Sequence, residues 1–387
     1  MAPKSLFYTL FSSLTVALAA SVPQTDYDVI VVGGGPAGLS VLSGLSRVRR
    51  KTALFDSGEY RNSVTRNMHD VIGNDGTVPS EFRGKAREQI SKYDTATFID
   101  KRVSAITSID DEATNTSYFR AQDADGQAYT ARKLVLGTGL VDLLPDTPGL
   151  QEAWGKGVYW CPWCDGFEHR DQPFGILGTL PDVVGSVLEV STLNKDIIAF
   201  VNGTDTPAYE AELSAKYPNW EAQLAAYNVR LENATIASFE RLQDGGEVKD
   251  RNGTRQLDIF RVHFTNGSFV DRNAFITNYP SAQRSDLPDQ LGLAMLGNKI
   301  DATTNPGMRT SLAGVFAVGD CNSDNSTNVP HAMYSGKRAA VFAHVEMARE
   351  ESNAAIDKRV DVEDMIKETE KQVGDDMQRI YDRVVRR

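Results

Sequence analysis

Short apolar runs that stop at glycine organise this chain. Residues Tyr27–Val32 read YDVIVV, rich in β-branched side chains, and predict a buried strand. The glycine-rich GGGPAGLS (33–40) follows, then a helical pattern to about Arg50, and TALFD (52–56) predicts the next strand. Strand, glycine turn, helix, strand and acid together make a βαβ unit. LVLGTG (134–139) predicts another buried strand running into glycine. FGILG, from Phe174, begins a second unit, with a helix over about 182–193 and a strand DIIAFV at 196–201. Residues 205–275 mix amphipathic and alternating segments. GVFAVGD (314–320) is again strand, glycine and acid, and HAMYSGKRAAVFAHVEMA (331–348) predicts a helix. From about Glu351 the chain is charge-rich, with Ile366, Val373, Met377, Ile380 and Val384 spaced as one stripe of a helix. That stripe suits either packing on the body or a partner helix.

Composition narrows the class. A chain of 387 residues with 41% hydrophobic and 24% charged residues is long enough for two domains and ordinary for a globular protein. A net charge of -11 leaves no basic footprint for nucleic acid or anionic lipid. The first twenty residues, MAPKSLFYTLFSSLTVALAA, differ from the rest. One early lysine, an uncharged apolar run and small residues at Ala17-Leu18-Ala19 follow the plan of a secretory signal over 1–19. The alternative is an N-terminal membrane anchor. No later segment reaches the roughly eighteen apolar residues of a span, so no stable span is expected after cleavage. Asn115, Asn202, Asn233, Asn252, Asn266 and Asn325 each open an N-x-[ST] triplet, consistent with secretion or a secretory-pathway lumen. Disulfides persist in such a compartment.

Two features carry chemistry. In Gly33-x-Gly35-x-x-Gly38 the glycines permit a tight turn and close backbone approach to a pyrophosphate, which the following helix meets with its N–H groups. Asp56 ends the next strand, where an acid can accept a hydrogen bond from a ribose hydroxyl. The second feature is WCPWCDGFEHR (160–170), which holds Cys161 and Cys164, two of only three cysteines, so no disulfide scaffold is present. Zinc needs about four ligands, and His169 is the one histidine close by. No metal is expected. A purely structural bridge across two residues closes a tiny loop and gains little. A redox-active dithiol is the favoured reading, with Asp165 placed to give or take the proton of a departing thiolate. His169 offers a second acid/base, or a loop histidine without one.

GGGPAGL (with Gly33, Gly35, Pro36, Ala37 and Gly38), GVFAVGD, LVLGTG and CPWCDG together resemble the flavoprotein disulfide reductase superfamily, and within it the thioredoxin-reductase-like enzymes. The resemblance implies an α/β fold of two Rossmann-like three-layer domains. An FAD domain split into 26–144 and 276–348 would surround an inserted, degenerate NAD(P)H-like domain, 145–275, that carries the C-x-x-C, with a charged helix at 349–387. It implies FAD, with Asp320 on its ribityl chain, Val103 and Thr138 in its site, and Arg61 and His69 along its adenosine half. A histidine without a ligand role is the alternative at His69. NVPHAMYSG replaces the reductases' R-Q-A segment, which by analogy sets His331 near the isoalloxazine. Cys164 would face the flavin and Cys161 exchange with substrate. Homodimerisation is implied by the family alone.

The second βαβ unit departs from the reductases. Thr179, Leu180 and Pro181 stand where glycines are needed, and AFVNGTDTP lacks the arginines that would grip a 2′-phosphate. This points to the fungal dithiol oxidases of the gliotoxin type, which pass electrons to oxygen and act in secondary metabolism. The expectation is an FAD-dependent oxidase that closes a disulfide in a small-molecule or peptide dithiol, with O2 as acceptor and H2O2 as product. An NAD(P)H-dependent reductase, a non-catalytic flavoprotein scaffold, and a flavin enzyme of another substrate with a bystander disulfide are the alternatives.

Overall fold

The computed structural model describes residues 22–385 apart from 113 and 115, so the signal segment and Asn115, which opens the first triplet, lie outside the described residues. The first domain is built on a parallel core. Strands β1 (Tyr27–Val32), β2 (Thr52–Phe55) and β3 (Ala96–Ile99) run parallel, with Val31 opposite Leu54 and Leu54 opposite Phe98. Strands β4 (Val103–Asp111), β5 (Thr116–Asp123) and β6 (Ala128–Leu136) form an antiparallel meander, and β6 then turns parallel to β1. The C-terminal half of β6 also pairs with Val315–Ala317, which brings GVFAVGD beside LVLGTG. Sheet order is β3-β2-β1-β6-β5-β4, with that late strand joined to β6.

Alternation along β1 explains the layering. Ile30 and Val32 point into one apolar cluster with Phe55, Leu134 and Val315. Val29 and Val31 point into the other, against Leu42 and Leu45 of helix α1 (Pro36–Ser46) and Ala340, Ala343 and Met347 of the C-terminal helix. Both faces of the strand are covered, as parallel sheets require.

The inserted domain has its own five-stranded parallel sheet. Its order is Arg230–Glu232, Ile197–Phe200, Phe174–Leu177, Ala274–Thr277, Val158–Tyr159. A three-stranded antiparallel meander (Ile236–Gln243, Ile259–Phe264, Phe269–Arg272) covers one face. The chain leaves and re-enters the first domain through a ribbon pairing Leu140–Asp142 with Ser281–Gln283. Strand Ala274–Thr277 belongs wholly to the inserted sheet. The C-terminal region is one helix, Val329–Val385, with no break at residue 348. Arg50, Arg132 and Lys133 pin it through Glu350 and Glu351. The side chains of the stripe from Ile366 to Val384 lie outside the described residues.

Candidate active site

A cleft of about 1300 Å³, its open mouth included, starts at the glycine turn after β1 and ends at the C-x-x-C. At one end Gly33, Gly35, Pro36 and Ala37 line it. Gly33 has φ +119°, and a Cβ there would lie 2.1 Å from the Gly137 carbonyl oxygen, so the turn demands glycine. A Cβ on Gly35 would meet nothing within 4 Å, because that position faces the open cleft. Pro36 opens α1 and no side chain caps it, which leaves the first N–H groups free for an anion. Gly38 packs beneath the turn, where a Cβ would reach 1.9 Å from the Gly33 carbonyl. Val103, Thr138 and Asp320 also line it. Trp160 stacks on Trp154 with ring centroids 5.1 Å apart. The indole N–H of Trp160 and the hydroxyl of Ser285, both on the cleft wall, are buried without a partner. Buried polar groups are rarely left so. A dinucleotide with phosphates at α1 and polar groups against these two atoms fits the cleft.

Not every expected residue lines the cleft. Asp56 is buried under Gly34, off the cleft, and accepts from the Gly58 N–H (2.9 Å), the Tyr60 hydroxyl (2.7 Å) and Arg87 (3.2 Å). Arg61 lines the cleft, donates to Asp142 (2.5 and 2.9 Å) and to Asp320 (2.9 Å) and lies over the Trp160 ring at 4.6 Å. His69 is on the cleft wall with Cys164 and Asp165, its Nδ1 3.7 Å from Glu168 and 3.5 Å from Asp75. His331 does not line the cleft, and its Nε2 lies 2.6 Å from Asp324. The irregular path of residues 57–78 sets the positions of Arg61 and His69, and no periodicity in the sequence reports that path.

Cys161 and Cys164 are joined as a disulfide at the start of the short helix Pro162–Asp165. Cys164 and Asp165 face the cleft, while Trp163, between the cysteines, is 67% exposed. Burial pushes the Asp165 carboxyl up to about 7, against the pull of His169 and His69, so near neutrality it can both give and take a proton. His169 is buried and structural. Its Nδ1 meets the Asp165 carbonyl oxygen at 2.8 Å and its Nε2 the Asp258 carboxylate at 3.2 Å, so both ring nitrogens face acceptors. Asp258, which stands in no motif, is fully buried and also binds Arg66, Arg241 and the Gly245 N–H. Burial alone would raise its carboxyl, but His169 and Arg66 hold it down at about 2. Cys321 is buried, 3.4 Å from the Leu136 carbonyl oxygen, with burial raising its thiol. Among the described residues no cluster could hold a metal ion.

The second glycine turn has a different chemistry. The Thr179 N–H and hydroxyl donate to Asp182 at 3.0 and 2.6 Å, so a carboxylate of the chain itself closes the start of the helix that follows. Leu180 is fully buried, with its N–H on the Thr204 hydroxyl at 3.0 Å.

The family model described as pyridine nucleotide-disulphide oxidoreductase matches residues 27–336. The chain is 52% identical to "Probable thioredoxin reductase" of Arthroderma benhamiae, over 90% of this chain and 89% of that one. It is 32% identical to "Thioredoxin reductase tcpT" of Claviceps purpurea, over 83% and 94%. Among solved structures, HlmI superposes with a TM-score of 0.74 at 28% identity, covering 87% and 97% of the two chains. An oxidoreductase of Agrobacterium tumefaciens gives 0.69 at 28%, over 83% and 98%.

Proposed function

Since the chain belongs to the pyridine nucleotide-disulphide oxidoreductase family and is an FAD-dependent thiol/disulfide oxidoreductase, we propose that it is a dithiol oxidase. It would close a disulfide in a small-molecule or peptide dithiol and use O2 as acceptor, with H2O2 as co-product. The observation that carries this reading is the contrast between the two turns. The first is open and continuous with Cys164, whereas the second already holds the Asp182 carboxylate where NAD(P)H phosphates would need to sit. Exposed Asn202, which opens a glycosylation triplet just past the next strand, adds to the obstruction if it carries a glycan.

In this reading a substrate thiolate attacks Cys161 Sγ and breaks the disulfide, and Cys164 leaves as a thiolate that takes the Asp165 proton. The second substrate thiol, its proton passing to Asp165, attacks the mixed disulfide and expels Cys161. Substrate is released oxidised, and two electrons and one proton remain with the pair, Cys161 as a thiolate and Cys164 as a thiol, with Asp165 protonated again. FAD, when bound, takes these two electrons and passes them to dioxygen. Gly33, Gly35, Ala37 and the free N–H groups of α1 would hold its pyrophosphate, and Val103, Thr138 and Asp320 would line its path. Cys164, rather than Cys161, lies on that path, and it is the sulfur from which the pair re-closes. Arg61 holds Asp320 and Asp142 in place and covers the face of Trp160.

The signal-like residues 1–19 and the N-x-[ST] triplets support action in the secretory pathway or outside the cell, and homodimerisation is a further expectation from the resemblance. The competing reading, a reductase fed by NAD(P)H, accords with the names of the relatives. Anaerobic stopped-flow separates the two: flavin absorbance is followed after mixing with dithiothreitol or with NADPH. Bleaching by the dithiol alone, with peroxide formed on admitting air, is expected. Bleaching by NADPH would establish the reductase.

A further inference from the structure

One side chain of the cofactor domain is built into the inserted domain. Arg66 lies in the irregular segment between β2 and helix Pro79–Ile90. Its guanidinium crosses to residues 178 to 192 positions away in the chain. It donates to Gln256 (2.5 Å), to both oxygens of Asp258 (2.9 and 3.0 Å) and to Asp244 (2.5 Å). The Arg66 side chain is 13% exposed and that of Asp258 is fully enclosed. Paired charges this dry are strongly coupled and poorly replaced by water. Just before Arg66, Val64 and Thr65 pack so closely on Gly155 that a Cβ on that glycine would lie 2.7 Å from the Val64 side chain.

The far side of this junction is the redox loop. Asp258 holds His169, and His169 holds the Asp165 carbonyl oxygen. The Gln256 N–H donates to the Glu168 carbonyl at 2.8 Å, and Gln172 donates to the Gln256 carbonyl at 3.0 Å. Gln256 and Asp258, two of the three residues that grip Arg66, are therefore also the ones that hold the loop of Cys161, Cys164 and Asp165.

We propose that Arg66 is a positioning residue: by locking the cofactor domain to Asp258 and Asp244 it fixes the C-x-x-C loop against the cofactor cleft. Its role is confined to passage of electrons from Cys164 into the cleft. Attack of a thiol on Cys161, which does not line the cleft, does not depend on it. The catalytic readout rests on the dithiol reading above, whereas the domain lock does not.

The test compares wild type with Arg66→Met, Arg66→Lys and the milder Asp244→Asn, which leaves the buried Asp258 pair intact. Three quantities are measured: opening of the disulfide by dithiothreitol, by acid quench and thiol alkylation; anaerobic flavin bleaching in the same mixture; and the radius of gyration by X-ray scattering, with and without FAD. Small displacements of reacting groups have large effects on rate, about 100-fold for roughly 1 Å. In Arg66→Met, disulfide opening should stay within about twofold of wild type while bleaching slows at least about tenfold and the radius of gyration rises. Arg66→Lys and Asp244→Asn should fall between. Unchanged bleaching and radius in Arg66→Met would overturn the proposal. So would equal losses in opening and bleaching, which would mean that Arg66 merely keeps the loop folded. If dithiothreitol fails to bleach wild-type flavin, the dithiol reading falls, and the scattering result still decides the lock.

Discussion

Replacing Asp165 by asparagine should slow the reaction and stabilise the protein together, with the stabilisation growing as pH rises. The carboxyl is raised from 3.8 to about 7, burial being the largest cause. At about 1.4 kcal/mol per unit, the ionised form is disfavoured in the folded protein by at most about 4 kcal/mol. Below about pH 4 the group is neutral in both folded and unfolded chains and has no effect on their balance. As pH rises from about 4 to about 7 the unfolded chain releases the proton and the folded one retains it, so stability is lost progressively and the loss is complete above the folded value. Asparagine never ionises and escapes it. The difference in thermal midpoint, Asp165→Asn variant minus wild type, should therefore be small at about pH 4 and clearly positive at about pH 8. Over the same series, dithiol-driven flavin bleaching should fall about 100-fold or more on substitution, the usual contribution of a placed acid/base group. Corrected for the thiolate fraction of the dithiol, the wild-type rate should decline above about pH 7, and the decline should vanish in the variant. A midpoint difference that does not grow with pH would refute the claim that Asp165 is held protonated by burial. An inflection that survives in the variant would move the acid/base role to another group on the same wall, with His69 first in line.

Cys164→Ser should retain yellow FAD and lose all bleaching by dithiols; persistent turnover would show that the disulfide is a bystander. Gly34→Ala would bring a Cβ to within 2.0 Å of the Asp56 carboxylate, so the purified protein should carry little flavin, read from its flavin-to-protein absorbance ratio. Asp258→Ala leaves Arg66, Arg241 and His169 without their shared acceptor and should lower stability by about 3–5 kcal/mol in urea denaturation.

The parts of this molecule that are legible in its sequence are those determined by neighbours in the chain. The β1-turn-α1-β2 unit is set by strand propensity, glycine spacing and helical period over one short stretch, and it forms where those signals place it. The cysteine pair and its following acid are local in the same sense. Composition changes near residue 349, which marks off the charged tail as a helix of its own. Yet the stretch EMAREESNAAIDKR contains no glycine or proline to stop the preceding helix, and Glu346, Glu350 and Glu351 anchor it to Lys133, Arg132 and Arg50. What the sequence hides is tertiary. Arg66 and Asp258 are 192 residues apart, and neither stands in a pattern. Arg61 and His69 belong to a segment held largely by side chains rather than by a ladder, so their neighbours in the cleft follow from folding and are not legible in the sequence.

The two glycine turns show how one local geometry can serve opposite ends. Each follows a buried parallel strand and opens a helix, and each helix start carries backbone N–H groups that need an acceptor. At the first turn the chain offers none: there is no side-chain cap, and Gly35 looks into open space, so the acceptor comes from water or from a ligand. At the second, the capping box of Thr179 and Asp182 supplies the acceptor permanently, and a phosphate arriving there would meet a carboxylate at close range. Removing Asp182 alone would not restore a nucleotide site, because Leu180 fills the turn and no arginine follows the next strand. A protein with one open and one self-closed turn has a single nucleotide-linked entrance to its electron path. Its other entrance is the disulfide, with Cys164 on the cleft and Trp163 in solvent beside it. In the proposed reading electrons come in through thiols, and the closed second turn, more than the cysteines themselves, is what favours an oxidase over a reductase.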